Sequence, residues 1–385
     1  MIYLDHNASS PLLPQARDAW LEAEERFPGN PSSPHRVGAR ADHALDQARQ
    51  RLAAMLDCPP PDIVWTAGAT EACATVLHHA AATADAGASV CVSAIEHPAI
   101  LANAHHYFPG RVQVIPVDRR GVADLTWLAD HVRRQRPALV ALMAANNETG
   151  VLQPWREARE LCAARGVPFC TDATQWCGRL PAAGLGACDF VAGSAHKFGG
   201  PRGIGFLAAT GSAPLRPLLR GGGQQHGRRA GTENVPAVLA LVAALEWCEQ
   251  QLAASRHHPL RDRRDHFEHA LQAALPATRV NGAGADRLWN TASVVMPEAD
   301  CRQRWVVKLD KAGLAVSTGS ACASGSEKPS PVLSAMGLSA AESARALRFS
   351  AGWLTPPEAW DELLQALVRI QREFDVAAGR ESALP

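Results

Sequence analysis

Between residues 63 and 192 the chain repeats one pattern five times: a short apolar run bounded by polar or glycine-rich residues, then an interval long enough for a helix. The runs are Ile63-Val64-Trp65, Ser89 to Ser93, Leu139 to Met143, Val167 to Cys170 and Phe190-Val191-Ala192. Continuous apolar runs of this length suit strands buried on both faces, as in a parallel sheet covered by helices. Upstream, Leu45, Ala48, Leu52, Met55 and Leu56 recur at helical spacing. The expectation is an α/β fold with a mainly parallel sheet. Polar residues follow each run: Thr66 to Thr70, Glu96-His97, Asn146-Asn147-Glu148, Asp172, and Ser194-Ala195-His196-Lys197. Open α/β sheets bind ligands beyond the carboxyl ends of their strands, so these residues mark the expected site.

Length and composition bound the rest. The 385 residues, 47% of them hydrophobic, can fill a large domain and a smaller one. After about residue 254 the pattern changes to a His- and Arg-rich stretch, a strand near Ser293 to Val295, a helix around Cys301 to Ala312, a Gly/Ser-rich loop at Ser317 to Ser326 and an amphipathic helix from Pro357 to Phe374. We therefore expect an N-terminal segment (1–14) packing with a small α+β domain (255–385), and a large domain (15–254). A formal net charge of +0 gives no basic excess for nucleic acid. Val235 to Leu245 is the most continuous apolar stretch, too short for the roughly 18–20 residues that span a bilayer. The opening residues lack a signal-peptide pattern, so no membrane association and a cytoplasmic location are expected. Ten cysteines form no C-x-x-C pair and no zinc spacing, so no metal site is expected.

Six segments carry candidate chemistry. Lys197 stands past a buried run, beside Ser194 and His196 and before Gly199-Gly200. A lysine that attacks an aldehyde needs a low-dielectric pocket, and Ser194 and His196 suit a phosphate. Asp172, at the end of the preceding run, suits a pyridine nitrogen, which points to pyridoxal phosphate (PLP). A solvated lysine and a helix-capping aspartate are the plain alternatives. Thr70 opens a helical run, as a phosphate site or a simple N-cap. His97 is either structural or a proton carrier stacked on a ring. Gly221 to Asn234 reads as a loop for anion contacts or an exposed linker. Cys322 alone among the cysteines sits in a run of small polar residues, Ser317 to Gly325, which builds no core and leaves a thiol accessible and mobile.

In this order the motifs resemble the cysteine desulfurases of the NifS/IscS type, within the class V aminotransferase group. The resemblance runs from Tyr3-Leu4-Asp5 through Asn30 to Ser33, Ala67 to Glu71, Glu96-His97, Asn146 to Gly150, Asp172 to Gln175, Ser194 to Gly203, Arg229 to Asn234 and Ser317 to Gly325, to Arg348-Phe349-Ser350. It implies the PLP-dependent transferase fold of type I, a homodimer with sites at the subunit interface, and L-cysteine as substrate. It also implies roles. Lys197 links to PLP, His97 stacks on the ring, Asp172 holds the pyridine nitrogen and Gln175 the phenolic oxygen. Thr70, Ser194 and His196 hold the phosphate, with Thr232 from the other subunit. Asn147 and Arg348 bind the substrate carboxylate, and Cys322 takes the sulfur and passes it to an acceptor such as an iron–sulfur scaffold or a sulfur carrier. A selenocysteine lyase, another class V enzyme and an inactive sulfur-transfer scaffold are the competing readings. The sequence departs from the family at His6 within Asp5 to Ser9, at Gln225-His226 and at Trp353.

Overall fold

A computed structural model describes residues 1–210, 214–298, 304–318 and 329–378. Its elements in chain order begin with β1 (Ile2–Tyr3), α1 (Pro14–Arg26), α2 (Arg36–Leu56), β2 (Ile63–Thr66), α3 (Ala69–Thr83), β3 (Val90–Ser93), α4 (Pro98–Tyr107) and β4 (Val112–Ile115). There follow α5 (Leu125–Arg134), β5 (Leu139–Ala141), α6 (Trp155–Ala163), β6 (Phe169–Asp172), β7 (Phe190–Ser194), β8 (Gly205–Ala209) and α7 (Val235–Ala253). The remainder is α8 (His257–Ala274), β9 (Arg279–Val280), β10 (Thr291–Val295), α9 (Arg304–Lys311), β11 (Leu314–Ala315), α10 (Pro331–Ala335), α11 (Ala340–Ser343), β12 (Ala346–Ser350) and α12 (Ala359–Ala377).

The five apolar runs became β2, β3, β5, β6 and β7, as expected. They lie in one seven-stranded sheet of order β2-β8-β7-β6-β5-β3-β4. Two strands escaped the sequence pattern. The half-exposed β4 carries Gln113 and sits at the sheet edge, and β8 follows a glycine-rich turn. Because β8 runs antiparallel to both β2 and β7, the sheet is mixed, while β7-β6-β5-β3-β4 is parallel throughout. Helices bury their apolar stripes on both faces. One core joins α1, α2, α6 and α7 to the sheet, with Leu45, Leu52, Phe169, Phe206 and Leu241 at its centre, and another joins α3 and α4 through Val76, Leu77, Ile100 and Val92. Most apolar residues of α7 are buried in that core, and no single described helix is long and apolar enough to cross a membrane.

A third core belongs to the later chain. The antiparallel sheet β12-β10-β9 packs on α8 and α12 through Phe267, Leu271, Val294, Phe349, Trp360 and Leu367. The chain start joins this body, because β1 pairs in parallel with β11 and Leu4 is fully buried in the same core.

The departure at Gln225 has a structural account. β2 is an edge strand, and its outer main chain would otherwise present open groups. Gln225, at φ 51°, turns its amide onto Trp65 as a neighbouring strand would. Its Oε1 accepts from the Trp65 N–H at 2.6 Å and its Nε2 donates to the Trp65 carbonyl at 2.9 Å. Arg228 donates to the carbonyl of Ile63 on the same edge. Gln225→Ala leaves two buried main-chain groups of Trp65 without partners, so we expect a loss of about 1–3 kcal/mol in urea unfolding. A change below about 0.5 kcal/mol, the range of ordinary surface substitutions, would contradict this account of the edge.

Candidate active site

The parallel strands deliver their carboxyl ends to one side. Asp172 ends β6 and pairs in register with Ala192 of β7, two residues before Ser194. After Ser194 the chain makes a 3-10 turn, Ala195–Lys197, that directs the lysine back over the sheet. Lys197 Nζ donates to the carbonyls of Asn7 at 2.8 Å and Ala8 at 2.9 Å. The segment after β1 therefore crosses the site as a strap. It is tied down by Ser10, whose N–H donates to the His196 carbonyl at 2.7 Å and whose Oγ donates to the Lys197 carbonyl at 3.0 Å. Ser9 Oγ lies 3.2 Å from His196 Nδ1. Burial, then the positive charge of Lys197, pushes His196 down to about 4, so it stays neutral near neutrality.

The other expected residues stand at or just past neighbouring strand and helix ends, and Gln175 shares the Asn7 carbonyl with this lysine. Asp172 is buried and accepts the Thr174 N–H at 2.9 Å. Gln175, also buried, donates to the Asn7 carbonyl at 3.0 Å, while its Oε1 has no partner among the described residues. His97 N-caps α4, with Nδ1 accepting the Ala99 N–H at 3.1 Å, which leaves the proton of the neutral ring on Nε2. Ser194 lies beside the start of α3. A Cβ on Gly205 would stand only 2.7 Å from Gly68 Cα, so glycine at 205 is what lets β8 approach the start of α3, where Gly68 lies beside Ser194 Oγ. Thr70 sits in the first turn of α3 and is exposed; the N-cap is Gly68, so the capping alternative for Thr70 is not what the chain uses. Glu71 ties the later loop to this helix end by a paired contact with Arg229, at 2.9 and 3.2 Å. Thr232 is exposed in that loop, two residues before the Asn234 cap of α7.

Arg348 and Asn147 meet directly. Arg348, 1% exposed on β12, donates from Nη1 to the Asn147 carbonyl at 3.0 Å and from Nη2 to Asp5 Oδ1 at 2.6 Å. The main chain of Arg348 also pairs with Ser317, where the small-residue loop begins. Beyond that loop, Ser330 donates to Glu148 Oε2 at 2.6 Å. Ser317 and Ser330 thus both rest against the site. Cys322 itself, like Cys301, lies outside the described residues. The eight described cysteines are all wholly or partly buried, and burial raises every one of their thiols, Cys58 to about 11 and Cys248 to about 12. Among the described residues no group of three His, Cys, Asp or Glu is placed to hold a metal.

Asn7 and Arg179 escaped sequence reasoning, because they act mainly through distant partners that no local motif announces. Glu96 is 3% exposed, accepts the Met143 N–H at 2.7 Å, and is pushed up to about 8 by burial and then by Asp172. Two of the departures meet in a cavity of about 280 Å³ next to Lys197, lined by His6 and Trp353 with Trp289 and Arg179. His6 hydrogen-bonds Ser10, and Trp353 donates to the Gly178 carbonyl at 2.8 Å.

These shifts set the pH dependence of stability. Glu96 at about 8 and Glu249 at about 7 hold protons in the folded chain that the unfolded chain releases near the ordinary carboxyl value. The unfolded state therefore binds fewer protons over that range, and stability falls as pH rises. The lowered histidines His6, His79, His131, His196 and His257 act in the opposite sense, centred on their unfolded value of 6.5 and largely spent by about pH 7.5. Above that the buried carboxyls, joined by the buried thiols whose unfolded counterparts begin to ionise, make stability fall. Urea unfolding is expected to lose stability between about pH 7.5 and 8.5, and Glu96→Gln to lose less by roughly 0.5–1 kcal/mol. An equal loss in Glu96→Gln would refute the buried protonated carboxyl.

The family model described as aminotransferase class-V matches residues 2–361. A cysteine desulfurase of Cereibacter sphaeroides is 38% identical over 371 residues, covering 95% of this chain and 94% of that protein. One from Klebsiella pneumoniae is 37% identical over 370 residues, covering 95% and 91%. Among solved structures, the NifS-like protein from Rickettsia africae superposes with a TM-score of 0.87 at 27% identity, over 97% of this chain and 99% of that one. A structure described as SspA in complex with cysteine gives a TM-score of 0.79 at 28% identity, over 91% and 98%. The chain belongs to the class-V aminotransferase family, in the branch formed by the cysteine desulfurases.

Proposed function

We propose that this enzyme is a PLP-dependent cysteine desulfurase that moves the sulfur of L-cysteine onto Cys322 and releases L-alanine. The observation that carries the reading is the placement of Lys197 and Asp172 at the ends of adjacent parallel strands, with Asn147 and Arg348 joined beside them. The residues present fit PLP. The partnerless buried Oε1 of Gln175 costs free energy unless a bound group meets it, and the start of α3, where Ser194 Oγ lies beside Gly68, offers helix N–H groups suited to a phosphate. Asp172 would hold the ring nitrogen, Gln175 the phenolic oxygen, and Thr70, Ser194 and neutral His196 the phosphate, with Thr232 reaching the site of a second copy in a homodimer.

Bound PLP supplies an electron sink for the charge left when the cysteine Cα loses its proton. Lys197 would hold the cofactor through its amine, and as a free amine would be the base that takes that proton. His97 keeps its Nδ1 committed to the Ala99 N–H, so proton exchange with the reactants would fall to Nε2. Arg348 and Asn147 orient the substrate carboxylate. The Cys322 thiolate attacks the substrate sulfur: an S–S bond forms, the C–S bond breaks, its electrons return to the carbon skeleton, and alanine leaves. Cys322 then holds a persulfide for an acceptor, such as an iron–sulfur scaffold or a sulfur carrier in the cytoplasm. The eight described cysteines are poor rivals, because burial disfavours their thiolates.

Two variants test this reading. Lys197→Ala is expected to lose alanine formation from cysteine entirely; retained turnover would remove Lys197 from the chemistry. Cys322→Ser is expected to keep the visible band of bound PLP yet lose sulfur transfer, since a hydroxyl is a far weaker nucleophile at neutral pH. Full desulfurase activity in Cys322→Ser would end its assignment while leaving that of PLP standing.

A further inference from the structure

Every polar atom of Asn7 is engaged, although the residue is 1% exposed and none of the motifs above gives it a role. Its N–H donates to Ser350 Oγ at 3.0 Å. Its Nδ2 donates to the Asn147 carbonyl at 3.0 Å and to Thr291 Oγ1 at 2.9 Å. Its Oδ1 accepts from Asn290 Nδ2 at 3.1 Å, and Thr291 Oγ1 donates in turn to Asn290 Oδ1 at 2.9 Å, closing a buried ring of three side chains. Its own carbonyl accepts from both Gln175 Nε2 and Lys197 Nζ.

We propose that Asn7 is a positioning residue for Lys197: its side chain, clamped by Asn147, Asn290 and Thr291, holds the main-chain carbonyls of residues 7 and 8 as the seat from which the lysine amine meets an aldehyde. The inference rests on the reading of Lys197 given above. The clamp comes from β10 and the Asn147 turn, which are separate from β7, so it ties the amine to the parts of the site that would orient substrate. Hydrogen bonds to a buried main-chain carbonyl are directional, and a reacting group displaced by about 1 Å can lose two orders of magnitude in rate. A clamped carbonyl thus sets where the amine waits. Asn147, expected to bind a carboxylate, shares the same clamp through its carbonyl, which Arg348 also engages.

The test uses the rate at which Lys197 of cofactor-free protein becomes covalently linked to added PLP, trapped with borohydride at intervals and located by peptide mass. The sequence has only four lysines, at 197, 308, 311 and 328, so the label is readily assigned. Asn7→Ala is expected to slow labelling at Lys197 about tenfold or more. Leu367→Ala, which empties a buried position of α12 far from the strap, is the control for lost stability and is expected to label at the wild-type rate. An unchanged or faster rate in Asn7→Ala, or an equal slowing in Leu367→Ala, overturns the inference. Label on another lysine in the wild-type protein would instead overturn the reading of Lys197.

Discussion

The parallel register of β6 with β7 is the constraint on which the site depends. Side chains at the carboxyl ends of adjacent parallel strands are neighbours whatever lies between them in sequence, and here the register places Asp172 opposite Ala192, one turn from Lys197. The sheet can hold that register because the strands are buried on both faces, where a slip by one residue would exchange every inward side chain. Helices α1, α2 and α7 on one face, and α3 and α4 on the other, supply that burial. The cores are thus also what aligns the chemistry.

The second body of the chain contributes from the side. Its sheet β12-β10-β9 brings Arg348, Ser350 and Thr291 to the edge of the first, and the strap from Asp5 to Ser10 threads between the two. Arg348 is opposed by Asp5, Glu148 is raised by burial and hydrogen-bonded by Ser330, and Glu96 and His196 hold their neutral forms near pH 7. Arg179 stays charged and donates to the carbonyls of Gln175 and His6, and Lys197 donates to those of Asn7 and Ala8.

Much of this was legible in the sequence where the signal is local. Apolar runs ended by polar residues marked five strands, and the residues just past them, His97, Asp172 and Lys197 among them, fell at one end of the sheet. The same logic missed β4, because an edge strand with Gln113 is not a continuous apolar run, and β8, because its run GFLAA follows a glycine-rich turn. Asn7 was invisible for a different reason. Its partners are 140, 168, 190, 283, 284 and 343 residues away, and two of its bonds are made by its carbonyl, which any residue type possesses. Gln225 was noticed only as an odd residue, and its work of closing a strand edge is a matter of tertiary approach. Cys322 was singled out by its setting of small polar residues, and the described structure adds that Ser317 and Ser330 stand against Arg348 and Glu148.

The central claim is that sulfur freed at the Lys197 site is carried by one thiol. Wild-type enzyme incubated with L-cysteine in the absence of reductant, digested and mapped by peptide mass, tests it most directly. The account predicts one extra sulfur atom on the peptide containing Cys322, and unmodified peptides for the other nine cysteines. Extra sulfur chiefly on any other cysteine would contradict it.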